Sequence, residues 1–153
     1  MAALSCIDEL TNLYEVDYDA WLQRNLELLR QFRFPELDVE HLIEEMEDLG
    51  RKDRGELISR LVILIAHLLK WQFQPAHRSS SWRGSIAEQR VRVTRQLKLS
   101  PSLHSFLPQA IREAYNDAVE LACEETGLSL DAFPRDCPYL PTQLLDKGFW
   151  SEL

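Results

Sequence analysis

A chain of 153 residues fits one domain, and a domain of this size buries enough surface to fold without a metal ion or a disulfide. Its composition, 45% hydrophobic and 27% charged, is typical of a globular protein and too apolar for disorder. The formal charge of −8 argues against general binding of the whole surface to nucleic acid or to an anionic membrane.

The cysteines and the N-terminal sequence indicate the compartment. Cys6, Cys123 and Cys137 lack the spacing of metal or redox motifs and fit a reducing environment. The first ten residues, MAALSCIDEL, contain no basic residue and carry two acids where a secretory leader needs an apolar core. The most apolar stretch, 57–69, is interrupted by polar residues and is far shorter than the about 20 residues that span a bilayer. The sequence therefore predicts a cytoplasmic protein that does not bind membranes.

The first part of the chain predicts two amphipathic helices after a weakly ordered lead-in over residues 1–15. Asp17 is placed to cap the first helix, which ends before Pro35, and Asp38 is placed to cap the second. The second helix has a strongly acidic face opposite one apolar stripe, which consists of Val39, Leu42, Ile43, Met46 and Leu49. Gly50 either ends this helix or lies inside a longer one, and the sequence leaves both alternatives open.

Residues 57–69 predict the central helix of the fold. Their aliphatic side chains cover most of the helix circumference, which is typical of a helix buried on nearly all sides. Burying each large aliphatic side chain contributes about 1.5–3 kcal/mol, so this segment is expected to dominate the core. Pro75 ends the helix.

The rest of the chain predicts two more helices and an irregular end. Ser81 or Ser85 is expected to cap the first of these helices, and Pro108 to open the second, which Gly127 closes. Residues 128–153 contain three prolines and several large apolar side chains, so they are expected to lie as a strap over the bundle.

These segments together define the predicted fold class. No segment shows the alternation of a β-strand, and no internal repeat is present. The prediction is an all-α, single-domain helical bundle of about five main helices over residues 16–153, with an irregular C-terminal strap.

The order of these segments resembles family 29 of the domains of unknown function, helical proteins of bacteria that are numerous in cyanobacteria. The resemblance rests on six stretches: DYDAWL at 17–22, HLIEEMEDLGR at 41–51, HLLKWQFQP at 67–75, SWRGSIAEQR at 81–90, ETGLSLDAFPRDCPY at 125–139 and LLDKGFW at 144–150. The resemblance implies an all-helical fold. It implies no activity, no cofactor and no catalytic residues.

One pattern in the acidic helix is compatible with a metal site. His41 and Glu45 are four residues apart and therefore share a helical face, and His67 on the central helix is a possible third ligand for a transition metal. Neither the paired Glu-x-x-His nor the H-E-x-x-H motif is present, and solvated or paired carboxylates explain the same pattern. A metal-dependent enzyme using these residues is one alternative function.

Residues 78–98 form a basic segment, which gives a second alternative. Its basic side chains are opposed only by Glu88; they are Arg78, Arg83, Arg90, Arg92, Arg95 and Lys98. With Trp82 beside them, they are suited to bind phosphates and stack on a base. The competing interpretation is intramolecular: this basic helix packs near the acidic segment 36–48, which contains seven acidic residues and no basic one, and Trp82 belongs to the core. We favour it, because the protein as a whole is acidic.

Arg90 interrupts an apolar stripe, so it must have partners, and Glu44 or Glu45 is the hypothesis for them. No nucleophile, phosphate-loop or dinucleotide motif occurs in the sequence. The favoured function is therefore a non-catalytic helical interaction or scaffold protein that needs no cofactor and binds a protein partner or itself. Trp82, Arg83 and Arg90 are its predicted contact residues, because tryptophan and arginine are enriched at binding hot spots.

Overall fold

A computed structural model describes residues 2–151, with side chains from Cys6 onward, and this part of the chain contains helices and no strand. The α-helices are α1 (Ala2–Val16), α2 (Tyr18–Arg30), α3 (Val39–Phe73), α4 (Ser80–Leu99), α5 (Leu107–Thr126) and α6 (Pro141–Leu145). Five of them are long, so the predicted all-α class with about five main helices is confirmed. None of the helices in this range has the length and hydropathy that a bilayer crossing requires.

The chain divides into two units, residues 1–51 (unit 1) and 52–153 (unit 2). Helix α1 occupies most of the segment for which a weakly ordered lead-in is predicted. The prediction of one domain over residues 16–153 stays a prediction.

Unit 1 contains α1, α2 and the first part of α3. Its core consists of Leu10, Trp21 and Leu28, with Leu13, Tyr14, Leu22, Leu37 and Leu42 packed around them. Asp17 caps α2 as predicted, because its Oδ1 accepts a hydrogen bond of 3.0 Å from the amide of Ala20. The amide of His41 approaches Asp38 Oδ1 at 3.5 Å, so Asp38 lies at the predicted start of α3.

The turn after α2 contains a residue in an unfavourable backbone conformation. Phe32 has φ 56°, in the left-handed region that bulky side chains rarely adopt. Its ring is 77% exposed and meets the exposed ring of Phe34 edge-on, with centroids 6.0 Å apart. Its left-handed backbone ends α2: the amide of Arg33 donates to the carbonyl of Leu28 at 2.9 Å, and the amide of Phe32 donates to that of Leu29 at 3.1 Å, the helix-ending pattern in which glycine is more usual.

Helix α3 runs without a break through Gly50, which answers the question that the sequence leaves open. Arg51 pairs with Asp48 one turn before it, and a Cβ added at Gly50 would meet no atom within 4 Å. Glycine inside a helix costs about 0.5–1 kcal/mol relative to alanine, so the helix continues here despite its local preference.

Unit 2 is built on the predicted central helix. The residues of α3 that are fully or almost fully buried are Leu57, Leu61, Leu64, Ile65, Ala66, Leu68 and Leu69. Helix α4 begins after Ser79, whose Oγ accepts a hydrogen bond from Trp82, so the prediction of Ser81 or Ser85 as the cap is wrong. Gly127 ends α5 with φ 75°, as the sequence predicts.

The C-terminal segment, residues 128–151, lies against the core of unit 2, where Phe133, Tyr139 and Leu144 are buried. Hydrogen bonds also join this segment to the helices beneath it, with hydroxyl groups on both sides as the donors. Tyr115 donates to the carbonyl of Pro134 at 2.5 Å, and Ser151 donates to the carbonyl of Leu68 at 3.0 Å. The strap is therefore held by hydrogen bonds as well as by apolar contacts.

Candidate functional site

Asp38 is the centre of a buried polar network in unit 1. Its Oδ2 accepts hydrogen bonds from Trp21 Nε1 at 2.9 Å and from His41 Nδ1 at 2.6 Å. Its amide donates to Asn25 Oδ1 at 3.1 Å, and Asn25 in turn donates to the carbonyl of Trp21 at 2.9 Å. A buried carboxylate requires such partners, and here they join α2 to the start of α3.

The two predicted ligands of unit 1, His41 and Glu45, lie on either side of one tyrosine. The ring of Tyr14 stacks on the His41 imidazole with centroids 3.9 Å apart, and its hydroxyl donates to Glu45 Oε1 at 2.7 Å. Tyr18 donates to the other carboxylate oxygen of Glu45 at 2.6 Å. Sequence periodicity indicates that His41 and Glu45 share a face, but it does not show that Tyr14 lies between them.

These contacts raise the pKa values of three side chains, His41, Tyr14 and Tyr18; for Tyr18 the cause is again the hydrogen bond to the Glu45 carboxylate. The hydrogen bond to Asp38 raises the pKa of His41, since the carboxylate favours the protonated imidazole. The hydrogen bond to the Glu45 carboxylate raises the pKa of Tyr14, because an ionised phenolate would lose that bond and be repelled. The cluster thus favours the imidazolium form of His41 and the neutral phenols.

The His41 contact predicts how stability depends on pH. A folded-state pKa above the unfolded value near 6.5 means that the His41–Asp38 interaction is fully present below pH 6.5. This stabilisation is lost as the pH rises through the folded-state pKa of His41. Relative to His41→Gln, the wild type should therefore lose free energy of unfolding above that pH, measured by urea denaturation across a pH series. An NMR titration placing the His41 pKa below 6.5 would contradict this expectation.

His67, the third residue of the metal alternative, belongs to unit 2. Its Nδ1 lies 2.8 Å from the carbonyl of Ile63, and burial lowers its pKa. Within the described part of the chain, no three His, Cys, Asp or Glu side chains are placed to hold a metal ion together. The use of His41, Glu45 and His67 as ligands stays a prediction, without a coordinating geometry to support it.

Trp82 is half-buried rather than a core residue, and a lysine explains its position. The Lys70 ammonium group lies 4.6 Å from the centroid of the Trp82 ring and forms an ion pair with Glu125. Only 3% of Lys70 is exposed, so the ring and the carboxylate replace the water that the ammonium loses. Trp82 therefore supports a buried charge within unit 2.

Arg83 and Arg90, the other two predicted contact residues, converge on Trp150. Their guanidinium carbons lie 5.0 Å and 5.6 Å from the centroid of its ring. Arg90 also donates from Nε to the carbonyl of Leu144 at 2.9 Å and from Nη2 to that of Gln143 at 3.3 Å. The prediction of Glu44 or Glu45 as the partner of Arg90 is wrong, because the hydrogen bonds of its guanidinium go to main-chain carbonyls.

The basic face of α4 borders an open groove of about 500 Å³ that Arg60, Arg92 and Arg95 line together with Glu88. Arg92 pairs with Glu88 at 2.8 Å, and Arg60 pairs with Glu56. Two of the three arginines are thus partly neutralised by carboxylates of their own helices. Neither pair involves the acidic segment 36–48, so the predicted packing against that segment and nucleic-acid binding both stay predictions.

Unit 1 exposes most of the large apolar side chains on the surface. Thirteen such side chains are exposed in the described chain, and nine of them precede residue 51: Val16, Tyr18, Leu29, Phe32, Phe34, Val39, Ile43, Met46 and Leu49. Four of the nine belong to the apolar stripe that the sequence predicts on α3; we call these four, Val39, Ile43, Met46 and Leu49, the α3 row. Within the stripe only Leu42 packs against the core.

The charge of the chain is also concentrated in unit 1. Residues 1–51 contain thirteen acidic and four basic residues, a net charge of −9, whereas residues 52–153 contain twelve acidic and thirteen basic residues, a net charge of +1. Unit 1 therefore combines exposed apolar side chains with a strongly negative surface, a combination that sequence composition averaged over the whole chain hides.

Comparison with known proteins gives one match. The family model described as "Domain of unknown function DUF29" matches residues 13–150, which is nearly the whole chain. No curated protein and no solved structure is significantly similar to it.

Proposed function

The chain belongs to the DUF29 family, and because that membership assigns no activity, we propose a function from its surface: it is a non-catalytic helical interaction protein that binds a protein partner through unit 1. The proposal includes the bacterial cytoplasm as its compartment, which three free cysteines support.

The exposure of the α3 row is the observation that supports this proposal. Its four side chains are between 51% and 71% exposed, although their spacing on the helix is that of a buried face. A contiguous apolar surface rimmed by polar residues is typical of a protein-binding site. Such a surface costs solubility unless a partner covers it, so its presence on an otherwise well-packed chain points to binding.

The residues predicted as contacts from the sequence take a different part in this proposal. Arg90 is only 1% exposed and lies in unit 2, so it is not a contact residue in this proposal. Arg83 is exposed, and its use as a contact stays a prediction, whereas Trp82 is half-buried with the Lys70 ammonium group over its ring.

The test replaces two side chains of the α3 row and compares the complexes formed. The variant Ile43→Ser/Met46→Ser removes apolar area without touching the core, and Leu130→Ser removes an equally exposed side chain in unit 2 as the control. We expect wild type and control to form a complex, either with themselves in sedimentation velocity or with a host protein captured from extract and quantified by mass spectrometry. The double variant should lose that complex.

The proposal fails under one clear result. If the wild type is a monomer at every concentration, and if wild type and double variant recover the same proteins from extract in the same amounts, unit 1 is not a binding surface.

A further inference from the structure

The α3 row has the geometry with which one helix receives another. Val39, Ile43 and Met46 follow each other at spacings of four and three residues, and Leu49 extends the row by three more. The row covers about three turns, roughly 15 Å of helix at 1.5 Å per residue. Helical partners are bound through anchors at these spacings, so the length and width of the row suit the apolar face of an amphipathic helix.

The charge beside the row indicates which helix would bind. At 3.6 residues per turn, Glu40, Glu44 and Glu47 lie together on the flank of α3 next to Ile43. All three are exposed, and none of them forms an ion pair within residues 2–151. A partner that brings basic side chains to this flank would pair with them, whereas an acidic partner would be repelled.

A second copy of the same surface does not fit this chemistry. Pairing two copies through unit 1 would bring together two surfaces that each carry a net charge of −9. Like charges placed opposite each other disfavour such a complex. The same argument disfavours an anionic membrane, although an amphipathic surface alone would suit one.

We infer that the α3 row and its acidic flank bind a basic amphipathic helix of another protein. The inference rests on the proposed function and specifies the partner by chemistry: apolar side chains at helical spacing on one face, with lysine or arginine beside them. The apolar anchors supply affinity, and the charges supply orientation and selectivity.

The experiment uses three labelled synthetic peptides and the full chain. The first peptide is an amphipathic Leu/Lys helix, the second has the same pattern with Glu in place of Lys, and the third has the composition of the first in scrambled order. Binding is measured by fluorescence anisotropy. We expect the Leu/Lys helix to bind at least about tenfold more tightly than either other peptide, and added salt to weaken it.

Two variants assign the binding to this surface. Ile43→Ser/Met46→Ser should weaken the Leu/Lys peptide by about tenfold or more, whereas the exposed control Leu130→Ser should leave its affinity unchanged. The charge reversal Glu40→Lys/Glu44→Lys should lower the affinity of the protein for the Leu/Lys peptide and raise its affinity for the Leu/Glu peptide. Helix content measured by circular dichroism verifies that each variant is folded, and because all five positions are exposed we expect no change.

Three results would overturn the inference: equal binding of the Leu/Lys and Leu/Glu peptides, equal binding of the scrambled peptide, or self-association of the wild type that the double variant abolishes. The third result would identify a second copy as the occupant. The proposed function survives any of these if a complex is still lost in the double variant. It fails only when no complex depends on the α3 row.

Discussion

Replacing Trp21 with alanine is expected to lower the free energy of unfolding of unit 1 by about 4 kcal/mol, within the range of roughly 3–5 kcal/mol for tryptophan truncations in a core. Trp21 is fully buried, and among the described side chains of unit 1 its core has two other buried apolar residues, Leu10 and Leu28. The substitution also removes the donor to Asp38 and leaves that buried carboxylate with one partner fewer.

Trp21→Phe separates the two contributions, because phenylalanine keeps most of the apolar volume but cannot donate to Asp38. We expect a smaller loss for Trp21→Phe than for alanine, and almost none for Phe34→Ala, whose ring is exposed in the same unit. Hydrogen exchange detected by mass spectrometry measures the amide protection of α1 and α2 separately from that of unit 2. Unchanged protection of α2 in Trp21→Ala would show that the core of unit 1 is not organised by this residue.

Replacing Arg90 with alanine is expected to destabilise unit 2 by about 3 kcal/mol and to release the C-terminal segment. Removing a buried charge that satisfies two main-chain carbonyls leaves those oxygens without a donor, which is a costly kind of substitution. The truncation also removes the cation beside the Trp150 ring. Burial lowers the pKa of Arg90, which shows that its charge is held against a desolvation cost.

Two variants control this prediction. Arg90→Lys keeps the charge but not the fork of donors, so it should recover only part of the stability. Arg92→Ala removes an exposed arginine from the same helix, and its loss should stay below about 0.5 kcal/mol, as for other exposed ion pairs. Urea denaturation measures the free energy of unfolding, and hydrogen exchange over residues 139–151 measures whether the C-terminal segment stays bound to the core. Wild-type protection of that segment in Arg90→Ala would refute its assigned role.

The sequence predicts best where one local pattern decides the structure. Residues 57–69 are apolar around most of the helix, which predicts burial on nearly all sides, and the structure places seven of these thirteen residues in the buried core. Asp17 and Gly127 are confirmed for a similar reason, since each satisfies helix-end groups through its own local geometry.

The sequence is less informative where a distant segment supplies the partner. Periodicity identifies the apolar side of α3 before Gly50, but it does not say whether another element covers it, and the structure leaves Met46 71% exposed. Arg90 must have partners, but carbonyls more than fifty positions away are invisible to any pattern of side chains. The role of Trp82 as a cover for Lys70 likewise depends on tertiary contacts.

The contact between Trp71 and Trp150 gives the chain a built-in optical reporter. The centroids of the two indole rings lie 5.0 Å apart, and the ring planes are inclined at 46°. At this distance the electronic transitions of the two rings couple, so we expect a pair of bands of opposite sign in the ultraviolet circular dichroism spectrum. Trp71 lies in α3 and Trp150 near the end of the chain. The signal therefore follows the docking of the last residues onto the central helix, without a label and without altering either surface.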